Sequence, residues 1–312
     1  MSATEPLSVR DGRLAGVLRD GRDKPALHAP RPFLHPVLTP GGRSVSDIAP
    51  ADHPWHGGLG IAVSTIDVPG QEVPVNLWGG PTYRGAQGYV QLPNNGSQRV
   101  LARRDAGRTA VQRIDWSAAD GSVFLQEERA CGADVVRAAD IEWFRITVRS
   151  RWVNAGDGPL AFGSPTTAGR PNAGYGGFFL RLAPSFDGSA IIAPSDGDAR
   201  RIGEGDAMGG ARPWLGLRSG GASVLMTAPT GNPGGVSPWF VRSTGTPMLC
   251  AAPFFHEKLQ LDRDAVLDWE WSLLVADGAV KEGGFAAAVR AASALTPQLT
   301  ASGMGRPPRP TT

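Results

Sequence analysis

A chain of 312 residues is long enough to bury a large core, as one sizeable β domain or as two smaller ones. Its composition, 41% hydrophobic and 19% charged with a formal net charge of +2, carries no basic surplus for nucleic acid or for an anionic membrane. No stretch approaches the roughly 20 apolar residues of a membrane helix, and the first ten residues lack the apolar run of a secretory signal, so the expected location is the cytoplasm.

Glycine (42) and proline (27) are abundant and spread along the chain, which suits many short strands joined by turns. Asp11-Gly12 and Asp20-Gly21 are turn dipeptides that punctuate two short strands within residues 6–28. Prolines at 32, 36 and 40 then confine the chain to an edge or an irregular path that carries Arg31 and His35. That path leads into residues 50–59, where His53 and His56 flank Pro54 and Trp55, with Asp52 before them and Gly57-Gly58 after. Pro54 fixes one dihedral and removes a donor, so this segment is expected to be a rigid turn presenting both imidazoles. Residues 59–68 are apolar and β-branched, a buried strand, and residues 73–93 form a long aromatic loop with Trp78 and Tyr83, a kind of loop that more often serves function than support.

In residues 110–116 and again in 144–152, apolar and polar side chains alternate with period two, the mark of half-buried strands. The second places Arg145, Arg149 and Arg151 on one face, expected to be solvated. Residues 123–130, following the turn at Asp120-Gly121, form another strand; it holds Glu127, Glu128 and Arg129, so one of the two carboxylates points inward. Glycines around Tyr175 predict a crowded turn before a strand that ends at Arg181. Residues 186–210 read as an exposed polar excursion, 214–218 and 222–228 as a hairpin, and 232–242 as a proline-rich aromatic segment with Trp239 and Arg242. Trp269, Trp271, Leu273 and Val275 alternate in a last strand, and the alanine-rich residues 279–293 give the one convincing helix. The pattern predicts an all-β protein: a large antiparallel β-sandwich over residues 1–295 as a single domain, with one short C-terminal helix and a Pro-rich disordered tail at 296–312. Cys131 and Cys250 are expected as two reduced, buried thiols.

The chain has no phosphate-binding glycine loop, no dinucleotide fingerprint, no Gly-x-Ser-x-Gly and no cysteine pairs at zinc spacing. What it offers is histidine, carboxylate and arginine on a β scaffold. Imidazole titrates near neutrality, so His53 and His56, with Glu127 or Glu128 as carboxylate partner, could serve as acid and base. No cofactor is required by the sequence; His35, His53, His56 and His256 together with a carboxylate would instead satisfy a divalent metal. The competing structural reading is a pair of histidines that brace a loop. Trp55, Trp78, Tyr83, Tyr175 and Trp239 could offer flat faces to sugar rings or simply fill a core.

Arg31-Pro-x-x-His35-Pro-x-x-Thr-Pro-x-Gly42, followed by Asp52-His53-Pro-x-His56-x-Gly-Leu59, resembles the PmoA-like family named "methane oxygenase PmoA". Tyr175-Gly-Gly-x-Phe-x-Arg181, Asn232-Pro and Pro238-Trp239-Phe240-Val241-Arg242 resemble its later blocks, over roughly residues 25–278. The chain departs from the usual pattern at Trp55 and Gly57. With no membrane span, the resemblance implies a soluble β-sandwich similar to the galactose-mutarotase type, a class that handles sugars. The leading expectation is an enzyme acting on a sugar or other oxygen-rich small molecule by proton transfer, as an epimerase, mutarotase or lyase. His53, His56, Glu127 and Glu128 would be catalytic, and Arg31, His35, Trp78, Tyr175, Arg181, Trp239 and Arg242 would bind substrate. The alternatives are a metal-dependent oxygenase or hydrolase and a non-catalytic carbohydrate-binding sandwich. The expected partner is a small molecule, with neither nucleic acid nor membrane, and exposed edge strands leave room for a homodimer.

Overall fold

The computed structural model describes residues 3–105 and 109–295. Two large antiparallel sheets face each other. The front sheet has seven strands in the spatial order Thr4–Ser8, Leu14–Arg19, Phe33–Val37, Leu59–Val63, Gly176–Arg181, Met248–Ala251 and Trp239–Arg242. The back sheet has nine: Asp198–Ile202, Ala190–Ser195, Trp214–Arg218, Ala222–Thr227, Val266–Asp277, Ile141–Asn154, Val123–Ala138, Thr109–Ser117 and Ser97–Asp105. A three-stranded sheet (Leu259–Leu261, Leu160–Gly163, Thr65–Asp67) and a short ribbon (Thr82–Tyr83 with Tyr89–Val90) complete the β structure. The large antiparallel sandwich and its C-terminal helix, Glu282–Ala294, are those read from the residues. The Pro-rich tail at 296–312 lies outside the described residues. Among those residues no helix is long and apolar enough to cross a membrane.

Strand alternation decides what enters the space between the sheets. Trp269, Trp271, Leu273 and Val275 face inward from the back sheet, and Phe178 of the front sheet stacks on Trp271 at 5.3 Å with the planes 8° apart. Trp152, Phe162 and Phe254 extend this aromatic interior. Both cysteines are buried and free, and burial pushes the Cys131 thiol up to about 12.

The face carrying three arginines is solvated only in part. Arg149 and Arg151 stand opposite Glu270 and Asp268 on the neighbouring strand and pair with them. Arg145 is buried instead, paired with Asp134 and donating to the carbonyls of Ala292 and Leu295 at the end of the C-terminal helix. A cation at that end opposes the helix dipole, and the helix covers this face by seating Phe285 against Trp143. Residues 186–210 also differ from expectation. Ile191, Ile192 and Ala193 are buried, so the segment becomes the hairpin at the edge of the back sheet, followed by the helical turn Glu204–Ala207.

A polar cluster inside the sandwich corrects the expected role of Glu127. Its carboxylate accepts from Trp116 Nε1 at 2.7 Å, Ser150 Oγ at 2.5 Å, and Arg129 Nε and Nη2 at 2.6 and 2.8 Å. Arg129 also donates to Gln98 Oε1. Every strong acceptor site of Glu127 is occupied, and the front sheet separates it from the histidine turn. Glu128, one residue on, turns to the opposite face by alternation, so neither carboxylate partners the histidines. Replacing Glu127 with Ala leaves Arg129 buried and uncompensated, which is expected to cost about 3–5 kcal/mol. Glu128→Ala should stay within about 0.5 kcal/mol of wild type. Urea denaturation of the two variants measures the contrast; equal midpoints would contradict the assignment.

Candidate functional site

The site sits on the outer face of the front sheet. Side chains alternate there so that Phe33, Gly60, Phe179, Cys250 and Phe240 form a row across five neighbouring strands, pointing away from the core. An apolar row of this kind must be covered. The cover is made by the histidine turn, the Trp78-Gly79-Gly80 turn, Tyr175 and Phe255.

Two consecutive turns shape the histidine segment. His53 N–H donates to the Pro50 carbonyl and His56 N–H to the His53 carbonyl, each at 3.0 Å, and Ala49 and Gly58 close the loop by donating to His56 and Asp47 carbonyls. Gly58 has φ +38°, and a Cβ there would lie 1.9 Å from the Leu34 carbonyl, so only glycine fits this close approach. Arg31 locks the loop from below. It is buried, and its guanidinium donates to the carbonyls of His28, Ala29 and Trp55 at 3.2, 3.1 and 3.1 Å. The Trp55 side chain lies on Gly79 and Gly80, where any Cβ would come within 2.6 Å of its Cβ or 2.7–2.8 Å of its ring. Asn76 braces that second turn, accepting from the N–H groups of Trp78 and Gly79 and donating to the Gly80 carbonyl.

Within this frame His53 and His56 stack, ring centres 4.7 Å apart and planes 22° apart. His53 is at the surface, 36% exposed, and its Nδ1 lies 2.7 Å from Asp52 Oδ2. Thr246 donates to the same carboxylate oxygen at 3.2 Å, joining the turn between two front-sheet strands to the histidine turn. Burial works against ionisation of Asp52, yet the hydrogen bond and charge of His53, with Thr246 and Arg181, hold its carboxyl below the usual range. His56 is 1% exposed, edge-on to Trp78 and tilted against Phe179, and both its ring nitrogens are buried without a hydrogen-bond partner. Burial, followed by the positive charge of His53, Arg181, Arg31 and Lys24, keeps it well below 6.5, so it is neutral at pH 7. Arg181 ends the central strand on this same face, 4% exposed, with Nε and Nη1 lacking any acceptor.

Of the residues expected at the site, the fold brings together His53, His56, Trp78, Tyr175 and Arg181. Tyr175 packs on Trp78 at 4.7 Å and shares a hydrogen bond with the Tyr89 hydroxyl at 2.9 Å. Burial, then Tyr89, pushes its phenol well above 10. Arg31 is a brace rather than a substrate ligand, because its donors are spent on carbonyls. His35 bonds Ser46 Oγ through Nδ1. Trp239 faces the opposite way, fully buried in the core with its indole N–H on the Arg212 carbonyl, so it offers no face to a ligand. Arg242 pairs with Glu204. The expected metal set does not assemble: His256 Nε2 is on the Gly209 carbonyl, His35 on Ser46, His53 on Asp52, and the His53 and His56 rings lie parallel rather than converging. Among the described residues no group of three or more His, Cys, Asp or Glu side chains could hold a metal ion. The described cleft lined by Leu18, Arg129, Cys131 and Phe178 lies between the sheets, and none of these histidines lines it.

The carboxylate that does partner His53 is its own neighbour Asp52, adjacent in sequence and easily found there. Asn76, Phe179 and Thr246 carry no such mark: each gains its role only from what the fold places beside it.

A family model described as "Family of unknown function (DUF6807)" matches residues 8–290. No curated protein matches the sequence. Among solved structures, an alpha-galactosidase from Lactobacillus brevis aligns at 10% identity and TM-score 0.40, covering 89% of this chain and 40% of its own. This chain thus spans about two fifths of that enzyme's length. A candidate aldose 1-epimerase from Escherichia coli K12 aligns at 13% identity and TM-score 0.39, covering 89% of this chain and 100% of its own. A galactose 1-epimerase from Lactobacillus acidophilus aligns at 8% identity and TM-score 0.33, covering 89% and 99%. Likeness at this level says nothing about chemistry.

The neutral burial of His56 has a measurable consequence. Its folded pKa lies below 6.5, so between the two values the unfolded chain holds a proton that the folded chain lacks. The stability due to this group is complete above about 6.5 and is lost as pH falls toward the folded value. His56→Phe removes that dependence, while His28 and His35, also lowered by burial, titrate in both proteins. Thermal melts on either side of pH 6.5 should show wild type losing ground to the variant on acidification; parallel curves would refute the assignment.

Proposed function

The chain belongs to the DUF6807 family, whose function is unknown, and from its outer-face site we propose an enzyme that moves a proton on a sugar or another oxygen-rich small molecule. One observation carries this reading: His53 Nδ1 is held by Asp52 at 2.7 Å while the ring stays partly exposed. A carboxylate on one imidazole nitrogen selects the tautomer in which that nitrogen carries the proton, which leaves Nε2 as the base. When Nε2 accepts a proton from a hydroxyl or an activated C–H, the Asp52 charge stabilises the imidazolium. Returning the proton to the substrate, on the same or the opposite face, completes an isomerisation; delivering it to a departing oxygen completes a lyase step.

The surroundings support proton transfer over simple bracing. His56 stacks beneath His53 as a neutral ring, so it fixes the plane of the reactive imidazole without adding a charge that would oppose its protonation. Asp52 takes a second hydrogen bond from Thr246, which restricts its rotation. Beyond Trp78, Tyr175 connects to Tyr89, 39% exposed, whose ring lies under the Arg170 guanidinium at 4.8 Å. An exposed aromatic with hydroxyl and guanidinium groups suits the faces and edges of a sugar ring.

The test is exchange chemistry. Wild-type protein incubated with a panel of aldoses, ketoses and uronates in D2O is followed by proton NMR for anomer exchange and for deuterium incorporation at carbon. His53→Gln and Asp52→Asn should each lower the observed rate by about 10²–10⁴-fold with an unchanged melting temperature. Activity in His53→Gln equal to wild type would sink the proposal.

A further inference from the structure

Among the described residues Arg181 is the arginine with two buried nitrogens that lack an acceptor, where Arg103 and Arg212 have one each. Most arginines here have a visible employment: Arg129 on Glu127 and Gln98, Arg145 on Asp134 and a helix end, Arg31 on three carbonyls, Arg242 on Glu204. Arg181 is 4% exposed, yet Nε and Nη1 are buried with no acceptor. Neither nearby carboxylate bonds it: Asp52 Oδ2 takes His53 and Thr246, and Asp47 Oδ1 takes the backbone N–H of Ile48. A buried guanidinium with unmet donors is costly to the free protein, so it marks a place where something else supplies the acceptors.

Resting on the proton-transfer reading above, we propose that Arg181 is the carboxylate-recognising residue of this site, and that the substrate is an acidic sugar or sugar acid rather than a neutral one. Either in-plane edge of the guanidinium, Nε with Nη2 or Nη1 with Nη2, includes one of the unmet nitrogens, and each edge matches the two oxygens of a planar carboxylate. Charge ranks the anions rather than selecting one: Asp52 and Asp47 both lie near Arg181 and His56 is neutral, so a phosphate dianion meets more repulsion here than a carboxylate monoanion does. Asp52 lies close enough to Arg181 for their charges to interact, and its hydrogen bonds to Thr246 and His53 are exposed, so a carboxylate that reaches Arg181 from that side sits next to His53. A carboxylate fixed there also acidifies nothing by itself; it orients the neighbouring carbon or hydroxyl toward Nε2, which makes Arg181 a binding residue and leaves the proton to His53.

The experiment is calorimetric titration of the full chain with three probes, sodium D-glucuronate, D-glucose and inorganic phosphate, in wild type, Arg181→Met and His53→Gln, with a thermal melt of each. Glucuronate should bind wild type saturably, at least about tenfold more tightly than glucose or phosphate, and should lose about tenfold or more in Arg181→Met. Arg181→Met should melt at or above the wild-type temperature, because it removes a buried, unpaired cation. His53→Gln should bind glucuronate as wild type does while failing in the exchange assay, which separates the two readings: loss of exchange with binding intact speaks to His53 alone. Equal binding of glucose, preference for phosphate, no binding of glucuronate, unchanged glucuronate binding in Arg181→Met, or a lowered melting temperature in that variant would each overturn the assignment of Arg181.

Discussion

The strand Gly176–Arg181 is buried on both faces, and that constraint organises the molecule. Phe178 and Leu180 point into the sandwich, where Phe178 stacks on Trp271 of the opposite sheet. Phe179 and Arg181 point the other way, toward what would be solvent in a simple two-layer sandwich. Leaving Phe179, Phe240 and Met248 wet would expose a contiguous apolar patch, so irregular chain is drawn over them. The segments that supply this cover are the ones with unusual backbone: the turn closed by Gly58 and the turn of Gly79 and Gly80. Their side chains, His53, His56 and Trp78, are therefore placed by the need to cover a sheet and are held to it by aromatic contacts rather than by regular hydrogen-bond ladders.

Two buried polar clusters show opposite physics. In the interior, Glu127, Arg129, Gln98, Ser150 and Trp116 satisfy one another, and such a closed network serves rigidity. On the outer face, the nitrogens of His56 and two nitrogens of Arg181 are buried without partners. Unsatisfied groups reduce stability, and a fold keeps them where another purpose outweighs that loss. Unmet groups also occur at Gln112 and at the indole nitrogens of Trp143 and Trp269, so what sets the outer-face cluster apart is the unmet charge of Arg181 beside two histidines.

The same logic explains which candidates dropped out. Residue type alone made Arg31, Trp239, Arg242 and His256 look like Arg181, Trp78 and His53. Arg31 turned out to hold three carbonyls, Trp239 to sit on the inward phase of its strand, and His256 to bond a backbone carbonyl. None of those partners is near in sequence to the residue it occupies except His28 and Ala29 beside Arg31. Asp52, by contrast, reaches His53 through a one-residue separation, which is why that pair could be seen in the chain from the start.

Period-two alternation in the strands at Thr109–Ser117, Ile141–Asn154 and Val266–Asp277, the Asp-Gly turns and the alanine-rich stretch near the end were enough to establish an antiparallel β-sandwich with a C-terminal helix, because such patterns report local conformation and which side chains share a face. The proline between His53 and His56 likewise determined that the two imidazoles share one rigid turn. Tertiary structure alone decided which face each alternation presents to the core, so it alone sent Glu127 inward to Arg129 and left Asp52 as the carboxylate of the site. It alone buried Arg145 under a helix and left Arg181 without an acceptor. The reason is physical: a strand's period says that two faces differ, but whether a polar side chain on either face finds a partner depends on strands and turns that meet it only after the sheets have closed.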